Sequence, residues 1–164
     1  MRLPQIGTIF LSAVLCLVLS ACGFHLRETT ELPTAYQQVS LKGLSVDQGF
    51  GLVLKDAFTD ARSELVVDGK SETQLIISGL DEDKRVASYD SQLSVRQYLL
   101  FLMLDYRVMV NGKEVAKQRI KLDKTMNYDA DYVLGKQEEE GQIRKALRQD
   151  AARLILLRLK SLTL

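Results

Sequence analysis

The sequence predicts an α+β domain in which one mostly antiparallel sheet of about four strands carries two helices on one face. Residues 47–62 and 136–162 each place apolar side chains at intervals of three and four, which is typical of amphipathic helices. Residues 96–110 place apolar side chains at every second position, which is typical of a strand with one buried face. Read along the chain, the predicted order is strand, helix, three strands, helix.

The N-terminal residues predict a secretion signal rather than part of this domain. Met1-Arg2 supplies a positive start, and residues 6–19 are almost wholly apolar. This run is shorter than the ~20 apolar residues that a membrane-spanning helix needs. The small residues Ser20 and Ala21 then end it, as a signal peptidase requires. We therefore predict a signal peptide over residues 1–21.

The residue after this segment predicts a lipid anchor. Leu19-Ser20-Ala21-Cys22 resembles the lipobox of bacterial lipoproteins, in which the cysteine takes a diacylglycerol and becomes the N-terminus after cleavage. More than one acyl chain makes membrane attachment stable, since each buried methylene contributes ~0.8 kcal/mol. By the same resemblance, Gly23 rather than Asp favours sorting to the outer membrane. Lipidation of Cys22 and outer-membrane location are thus expected.

The charge and cysteine content limit the function. Cys16 is lost with the signal and Cys22 is acylated, so no disulfide is expected. Losing Arg2 leaves 22 − 1 = 21 basic residues against 21 acidic ones. A neutral chain argues against a nucleic-acid partner, which usually leaves a basic footprint. We expect residues 22–35 to be a lipidated tether and residues 36–164 to form the single α+β domain.

The first half of the domain predicts a strand, a helix and a second strand. Residues 36–44 predict the first strand, and Asp47 is a suitable N-cap for the helix over 47–62. Residues 74–80 predict the second strand, continuing in polar form to residue 89.

The third strand and the following hairpin present a choice of register. Asn111-Gly112 is a hairpin signal, but a plain two-residue turn would put the basic residues of the last strand on the apolar face. A three-residue loop that adds Lys113 and a bulge shifts the register by one, so that Lys117 faces Arg107 and Arg119 faces Asp105. Because a one-residue slip moves every side chain to the other face, burial favours the bulged register.

The last predicted helix has acidic residues near its start and basic residues near its end, which suits the helix dipole. Its apolar stripe includes Ile143, Leu147, Ala151 and Leu154. Residues 154–157 are apolar all round, so this turn is either deeply buried or meets a partner.

Two helices on one face leave the other face of the sheet open. That face carries Phe101 and Met103 beside the basic residues Arg107, Lys117, Arg119 and Lys121. Such a surface suits an anionic amphiphile or the wall of a partner protein, and an ordinary solvated face is the alternative.

The sequence carries no catalytic motif. His25 is the sole histidine, which excludes histidine metal clusters, and there is no nucleophile elbow or Walker loop. Gly49-Phe50-Gly51 is better explained as a loop entering a helix than as a dinucleotide fingerprint. Asp129 and Asp131 lie in a polar loop and are better explained as exposed turn residues. We expect no enzyme activity, no metal site and no cofactor other than the covalent lipid.

The residues after the anchor carry a family resemblance. Residues 22–27 read Cys-Gly-Phe-His-Leu-Arg and resemble the mature start of the LPS-assembly lipoproteins, the LptE (RlpB) family. The motif residues after the cysteine are Gly23, Phe24, His25, Leu26 and Arg27. The order of elements, the long hairpin and the Leu-Gly-Lys stretch before the last helix also resemble that family.

The resemblance implies a non-enzymatic subunit of the outer-membrane lipopolysaccharide (LPS) translocon. Members of this family plug the LptD β-barrel, assist its assembly and are thought to bind LPS for insertion into the outer leaflet. Lys136 matches one of the family's basic LPS contacts. A second contact falls near Asp90 or Ser91 here, where Arg85 or Arg96 is the candidate substitute. The basic open-face residues Lys117, Arg119 and Lys121 are further candidates for contact with LPS.

An alternative remains open from sequence. A free, periplasm-facing lipoprotein could bind another amphiphile or peptidoglycan, or carry a cryptic hydrolase. The hydrolase version predicts a deep pocket with paired carboxyl groups of perturbed pKa.

Overall fold

The computed structural model describes residues 31–67, 69, 71–129 and 132–162. Within them the chain forms five strands and two α-helices, which confirms the α+β class. The strands are β1 (Gln38–Lys42), β2 (Glu64–Val67), β3 (Thr73–Tyr89), β4 (Val95–Val110) and β5 (Lys113–Asn127). The helices are α1 (Gly49–Asp60) and α2 (Val133–Ser161).

All five strands form one mixed sheet in the order β2-β1-β3-β4-β5. The long strands β3, β4 and β5 are antiparallel, whereas β1 is parallel to both β2 and β3. The sequence analysis did not predict β2, because a four-residue Glu-Leu-Val-Val run is too short to show a period. This strand completes a β1-α1-β2 unit, in which α1 is the connection between two parallel neighbours.

Both helices lie on one face of the sheet, as predicted, where α1 contacts α2 and α2 contacts β4 and β5. The even-numbered side chains of β4 point to this face, and those from Leu100 to Val108 are buried there. The buried apolar residues of these three elements are Leu100, Leu102, Leu104, Tyr106 and Val108 of β4, Phe50, Leu54 and Phe58 of α1, and Leu147, Ala151, Ala152, Ile155, Leu156 and Leu159 of α2.

Helix α1 begins later than the sequence predicts. Gln48 rather than Asp47 is the cap residue, and its side chain makes no capping hydrogen bond. The start is set by close packing instead. A Cβ at Gly51 would lie 1.8 Å from the carbonyl oxygen of Ser45, so only glycine lets the helix approach the preceding loop this closely.

Helix α2 begins three residues earlier than predicted, so Glu138, Glu139 and Glu140 lie in its second turn rather than its first. Its last turn carries Arg158 and Lys160, as the dipole argument requires. The core-facing residues of the apolar turn are Ile155 and Leu156, which are buried, whereas Leu154 and Leu157 are each 43% exposed. Residues 154–157 are therefore only half covered by this chain.

The β4–β5 hairpin has the predicted register, but the bulge that produces this register lies in β5 and not in the turn. Arg107 pairs with Lys117 and Asp105 pairs with Arg119, as expected. However, Val110 pairs directly with Lys113, so the turn contains only Asn111 and Gly112, both with positive φ. The predicted three-residue loop is wrong, since the extra residue is Val115, between the partners of Met109 and Val108. The Asn-Gly turn keeps its favoured two-residue form, and the bulge restores burial.

This arrangement predicts that deleting Val115 leaves the register of the hairpin unchanged. Removing the bulged residue makes the ladder regular, so Arg119 should stay opposite Asp105 and the free energy of unfolding should fall by only about 1 kcal/mol, for a partly buried valine. Cross-strand nuclear Overhauser contacts between the two strands measure the register. Deleting Leu122, past the bulge, is the matched control, because it must turn side chains to the wrong face. Equal losses of stability in the two deletions would contradict the register.

Candidate functional site

One groove collects polar, basic and acidic side chains at the end of the sheet where β3 turns into β4. We call it the distal groove, and its volume is ≈ 560 Å³. Its lining residues are Arg96, Asn127, Tyr128, Asp129, Tyr132, Gly135, Lys136 and Glu139. They come from the start of β4, the end of β5 and the first turns of α2.

The topology explains why Arg96 and Lys136 meet. Arg96 has the same parity as Tyr98 and Leu100, so it belongs to the helix-bearing face of β4. The backbone N–H of Tyr128 donates to the carbonyl of Arg96 at 2.9 Å, which ties the end of β5 to the start of β4. The chain then enters α2, whose first turn brings Lys136 over the same end of the sheet.

The two cations of the distal groove differ in their partners. The Nζ of Lys136 lies 2.7 Å from a carboxylate oxygen of Glu139, and the Lys136 side chain is only 21% exposed. Arg96 is exposed and takes part in none of the ion pairs among the described residues. A cation held by one carboxylate beside a second, unpaired cation can bind an anion with charge-assisted hydrogen bonds.

An aromatic and ionic cluster supports this groove from below. The rings of Tyr98 and Tyr128 pack edge to face with centroids 5.2 Å apart, and Lys84 Nζ lies 5.1 Å from the Tyr98 ring centroid. Lys84 also binds Glu140 of α2 at 2.6 Å, and Glu140 accepts from Arg144 at 2.8 Å. The hydrogen bond from Lys84, followed by that from Arg144, lowers the pKa of Glu140 against the opposing effect of burial. The cluster joins α2 to β3.

Glu140→Gln should therefore destabilise the fold in a pH-dependent way. A lowered folded-state pKa means that the carboxylate stabilises the fold above its ordinary value of 4.5 and loses this effect as the pH falls through the folded pKa. We expect a loss of about 1–2 kcal/mol at pH 7 that shrinks below pH ~4.5. Denaturant unfolding at pH 7 and pH 3 measures it. Glu138→Gln, in the same helix turn, is the control, and a loss independent of pH would contradict the assignment.

The second candidate surface is the open face of the sheet, formed by the odd-numbered side chains of β4 and their neighbours. Leu99, Phe101 and Met103 form a half-buried apolar row there, and among the described residues neither helix covers it. Arg85 lies over the Phe101 ring at 5.9 Å from its centroid. Arg119 binds Asp105 through two 2.8 Å hydrogen bonds, which lower the pKa of that carboxyl group. The open face is thus apolar at its centre and charged at its margin.

The structure divides the basic residues that the sequence singled out. Arg96 and Lys136 share the distal groove, whereas Arg85, Lys117, Arg119 and Lys121 belong to the open face. Between the two candidates for the family's second basic position, Arg96 is therefore the one placed with Lys136. Sequence parity places Arg96 on the face of the buried residues of β4, but placing Arg85 on the other face requires the β3–β4 pairing. Reasoning from sequence missed Tyr128 and Tyr132 as lining residues, since nothing local predicts that loop's position.

Several predictions fall on other parts of the chain. The signal peptide over 1–21, the acylated Cys22 and the motif over 23–27 lie outside the described residues. Among the described residues, no cluster of three or more histidine, cysteine, aspartate or glutamate side chains could hold a metal ion. No helix in the described ranges is both long and apolar enough to cross a membrane.

Comparison with known proteins identifies the family. A model of the LptE family, described as lipopolysaccharide-assembly, matches residues 36–159. The chain is 24% identical over 145 residues to the LPS-assembly lipoprotein LptE of Yersinia enterocolitica, with 87% of this chain and 70% of the relative covered. It is 21% identical to the protein of the same name from Pectobacterium atrosepticum, with 87% and 79% covered.

A solved structure has the same fold. The solution structure of lipoprotein B from Nitrosomonas europaea superimposes with a TM-score of 0.70 at 26% identity, covering 85% of this chain and 91% of that one. The family match spans α1, all five strands described above and α2 as far as residue 159. The chain therefore belongs to the LptE family of lipopolysaccharide-assembly lipoproteins.

Proposed function

We propose that this chain is a lipid-anchored, non-enzymatic subunit of the outer-membrane LPS translocon. It sits as a plug inside the LptD β-barrel, helps that barrel assemble, and binds LPS in the distal groove for delivery to the outer leaflet. The observation that carries the proposal is the pairing of Arg96 with Lys136 in one groove of a chain that belongs to the LptE family.

The chemistry of the distal groove matches both parts of an LPS molecule. Arg96 and Lys136 are donors suited to the phosphates of lipid A. A bound phosphate can replace Glu139 as the ion-pair partner of Lys136. Apolar residues are exposed at the same end of the molecule, where Leu134 is 83% exposed and Leu93, in the β3–β4 turn, is 82% exposed. Basic residues beside exposed apolar ones suit a molecule with an anionic headgroup and acyl chains.

The open face supports the barrel-plug part of the proposal. A plug touches its barrel on more than one side, so it needs contact surfaces beyond a single apolar core. The row of Leu99, Phe101 and Met103, with charged residues at its margin, resembles a protein interface, in which an apolar centre has a polar rim.

The hydrolase alternative finds no support in the carboxyl groups of the described residues. Basic partners lower the pKa of Asp105 and that of Glu140. A general acid requires a raised pKa, and neither group is paired with a second carboxyl group.

Affinity purification of the full chain from outer membranes tests the barrel part of the proposal. We expect a large β-barrel protein to copurify with the intact lipoprotein in mild detergent. Recovery of the acylated, folded lipoprotein without any barrel would instead favour the free amphiphile- or peptidoglycan-binding alternative.

A further inference from the structure

A groove remains on the other half of the molecule, between the edge of the sheet and the C-terminal half of α2. Its volume is ≈ 390 Å³, and it lies away from the distal groove. Its lining residues are Tyr106, Gln118, Arg119, Ile120, Lys121, Leu154, Leu157 and Arg158. We call it the edge groove.

One wall of the edge groove is a free strand edge. β5 is the last strand of the sheet, and in the described part of the chain no strand pairs with its outer side. At ~3.4 Å per residue its 15 residues present about 50 Å of edge. A row of backbone N–H and C=O groups of this length is a template for one more strand.

The other wall is an apolar helix surface that the sheet does not fully cover. Leu154 and Leu157 of α2 are each 43% exposed, and they line the groove with Ile120 of β5. These leucines are half exposed because the sheet stops at β5. A sixth strand would extend the sheet toward Leu154 and Leu157 and place alternate side chains on their side.

The opposite side of the same edge is basic from Lys117 to Lys121, and Asp123 then brings a carboxylate to the same face. Lys117 and Lys121 lie on the open face of β5, and neither takes part in an ion pair among the described residues. Arg119, between them, is already held by Asp105. An added strand would place its remaining side chains beside these two lysines, where carboxylates are favoured and cations are not.

We propose that the edge groove binds an extended polypeptide segment with alternating acidic and apolar residues, which adds a sixth strand to β5. Its apolar side chains pack on Leu154 and Leu157, and its carboxylates pair with Lys117 and Lys121. This inference does not depend on the proposed binding of LPS, because the edge groove shares no residue with the distal groove.

The charges select this occupant over two others. A second copy pairing antiparallel through its own β5, centred on Arg119, would bring Lys117 opposite Lys121 of the other copy, which is unfavourable. An acyl chain could cover Leu154 and Leu157, but it offers no donors or acceptors to the free backbone edge.

The test uses the full chain, purified in mild detergent at low salt, and two ten-residue peptides that alternate valine with glutamate or valine with lysine. We expect the glutamate peptide to bind and to slow hydrogen exchange at β5 amides, and the lysine peptide to bind at least about tenfold more weakly. Three results would overturn the proposal: slowed hydrogen exchange at the amides of β2, the other edge strand, instead of β5; equal affinity for both peptides; or no binding of either peptide.

Two variants sharpen the test. Lys117→Glu/Lys121→Glu should reverse the preference between the two peptides, whereas Lys42→Glu/Lys55→Glu, on exposed lysines elsewhere, should keep it. Leu154→Gln/Leu157→Gln should lower the affinity for both peptides about tenfold, because the apolar contacts are lost. Leu52→Gln is its control, since Leu52 is 41% exposed on α1. Self-association through β5, or displacement of the peptide by detergent chains, would contradict the assignment.

Discussion

Gly43→Ala is expected to lower the free energy of unfolding by about 3–5 kcal/mol, the largest loss of stability among the substitutions considered. Gly43 follows β1 and has φ +93°, which side-chain-bearing residues rarely adopt. A Cβ built there would lie 2.0 Å from the carbonyl oxygen of Ile77. The obstacle is backbone of the central strand β3, so β1 or β3 must shift. Denaturant unfolding monitored by circular dichroism measures the loss.

Gly112→Ala separates the two causes of this loss. Gly112 also has positive φ, +76°, but a Cβ there would meet nothing within 4 Å. It should therefore cost only the conformational strain, about 1–2 kcal/mol. If Gly43→Ala and Gly112→Ala cost the same, the close approach of β1 and β3 at Ile77 is wrong.

Arg96→Glu/Lys136→Glu is expected to weaken LPS binding by at least tenfold, the largest functional effect of the proposed site. Two donors for lipid A phosphates become two repelling carboxylates, and each lost charge-assisted contact is worth about 1.5–3 kcal/mol when fully made. Binding of fluorescent LPS by the purified full chain, at a fixed low salt concentration, measures it.

Lys117→Glu/Lys121→Glu is the matched control for this experiment. It makes the same change in net charge on the open face of β5, so general electrostatic attraction would fall equally in both variants. We expect the control to retain most of the LPS affinity. The reverse ranking would move the LPS site from the distal groove to the open face.

Glu139→Gln should change LPS binding in the opposite direction. A carboxylate oxygen of Glu139 lies 2.7 Å from the Nζ of Lys136 and forms an ion pair with it. Removing the charge of Glu139 therefore leaves the lysine available to bind a phosphate. We expect a several-fold gain in affinity, which a general loss of structure cannot produce. An unchanged or weaker affinity would indicate that Lys136 does not release Glu139 on binding.

Much of the fold follows from periodicity along the sequence. The alternation over residues 96–110 predicted β4 and the face that it buries, because a strand with one covered face needs apolar residues at every second position. The same argument fixed the partners of Arg107 and Asp105, since any other register buries charge. The location of the bulge was not predictable, because a three-residue loop and a two-residue turn followed by a bulge within β5 both satisfy the burial pattern.

The elements that the sequence did not show are those set by tertiary contacts. β2 is a short parallel strand that, among the residues the structure describes, pairs only with β1, and its position depends on how α1 crosses back over the sheet. Similarly, α1 begins at Gly49 because the chain packs closely at Gly51, not because a side chain caps it. Short strands and close backbone contacts carry little periodic signal.

The basic residues of the candidate site could be predicted from the sequence, but which of them lie together in one groove could not. Lys136 came from the family resemblance, and Arg96 was one of two options. The choice between Arg85 and Arg96 requires the β3–β4 pairing, which turns Arg85 to the open face opposite Leu99. Tyr128 and Tyr132 join the groove only because the loop after β5 folds back over the start of β4.

Photo-crosslinking in living cells tests the central claim most directly. A photoreactive residue replaces Tyr132, which is exposed in the distal groove, or Thr59, which is exposed on α1, in the full-length lipoprotein. We predict an adduct with LPS from position 132 and none from position 59. An absence of adduct from position 132 in folded, outer-membrane protein, or an equal yield from both positions, would contradict binding of LPS in this groove.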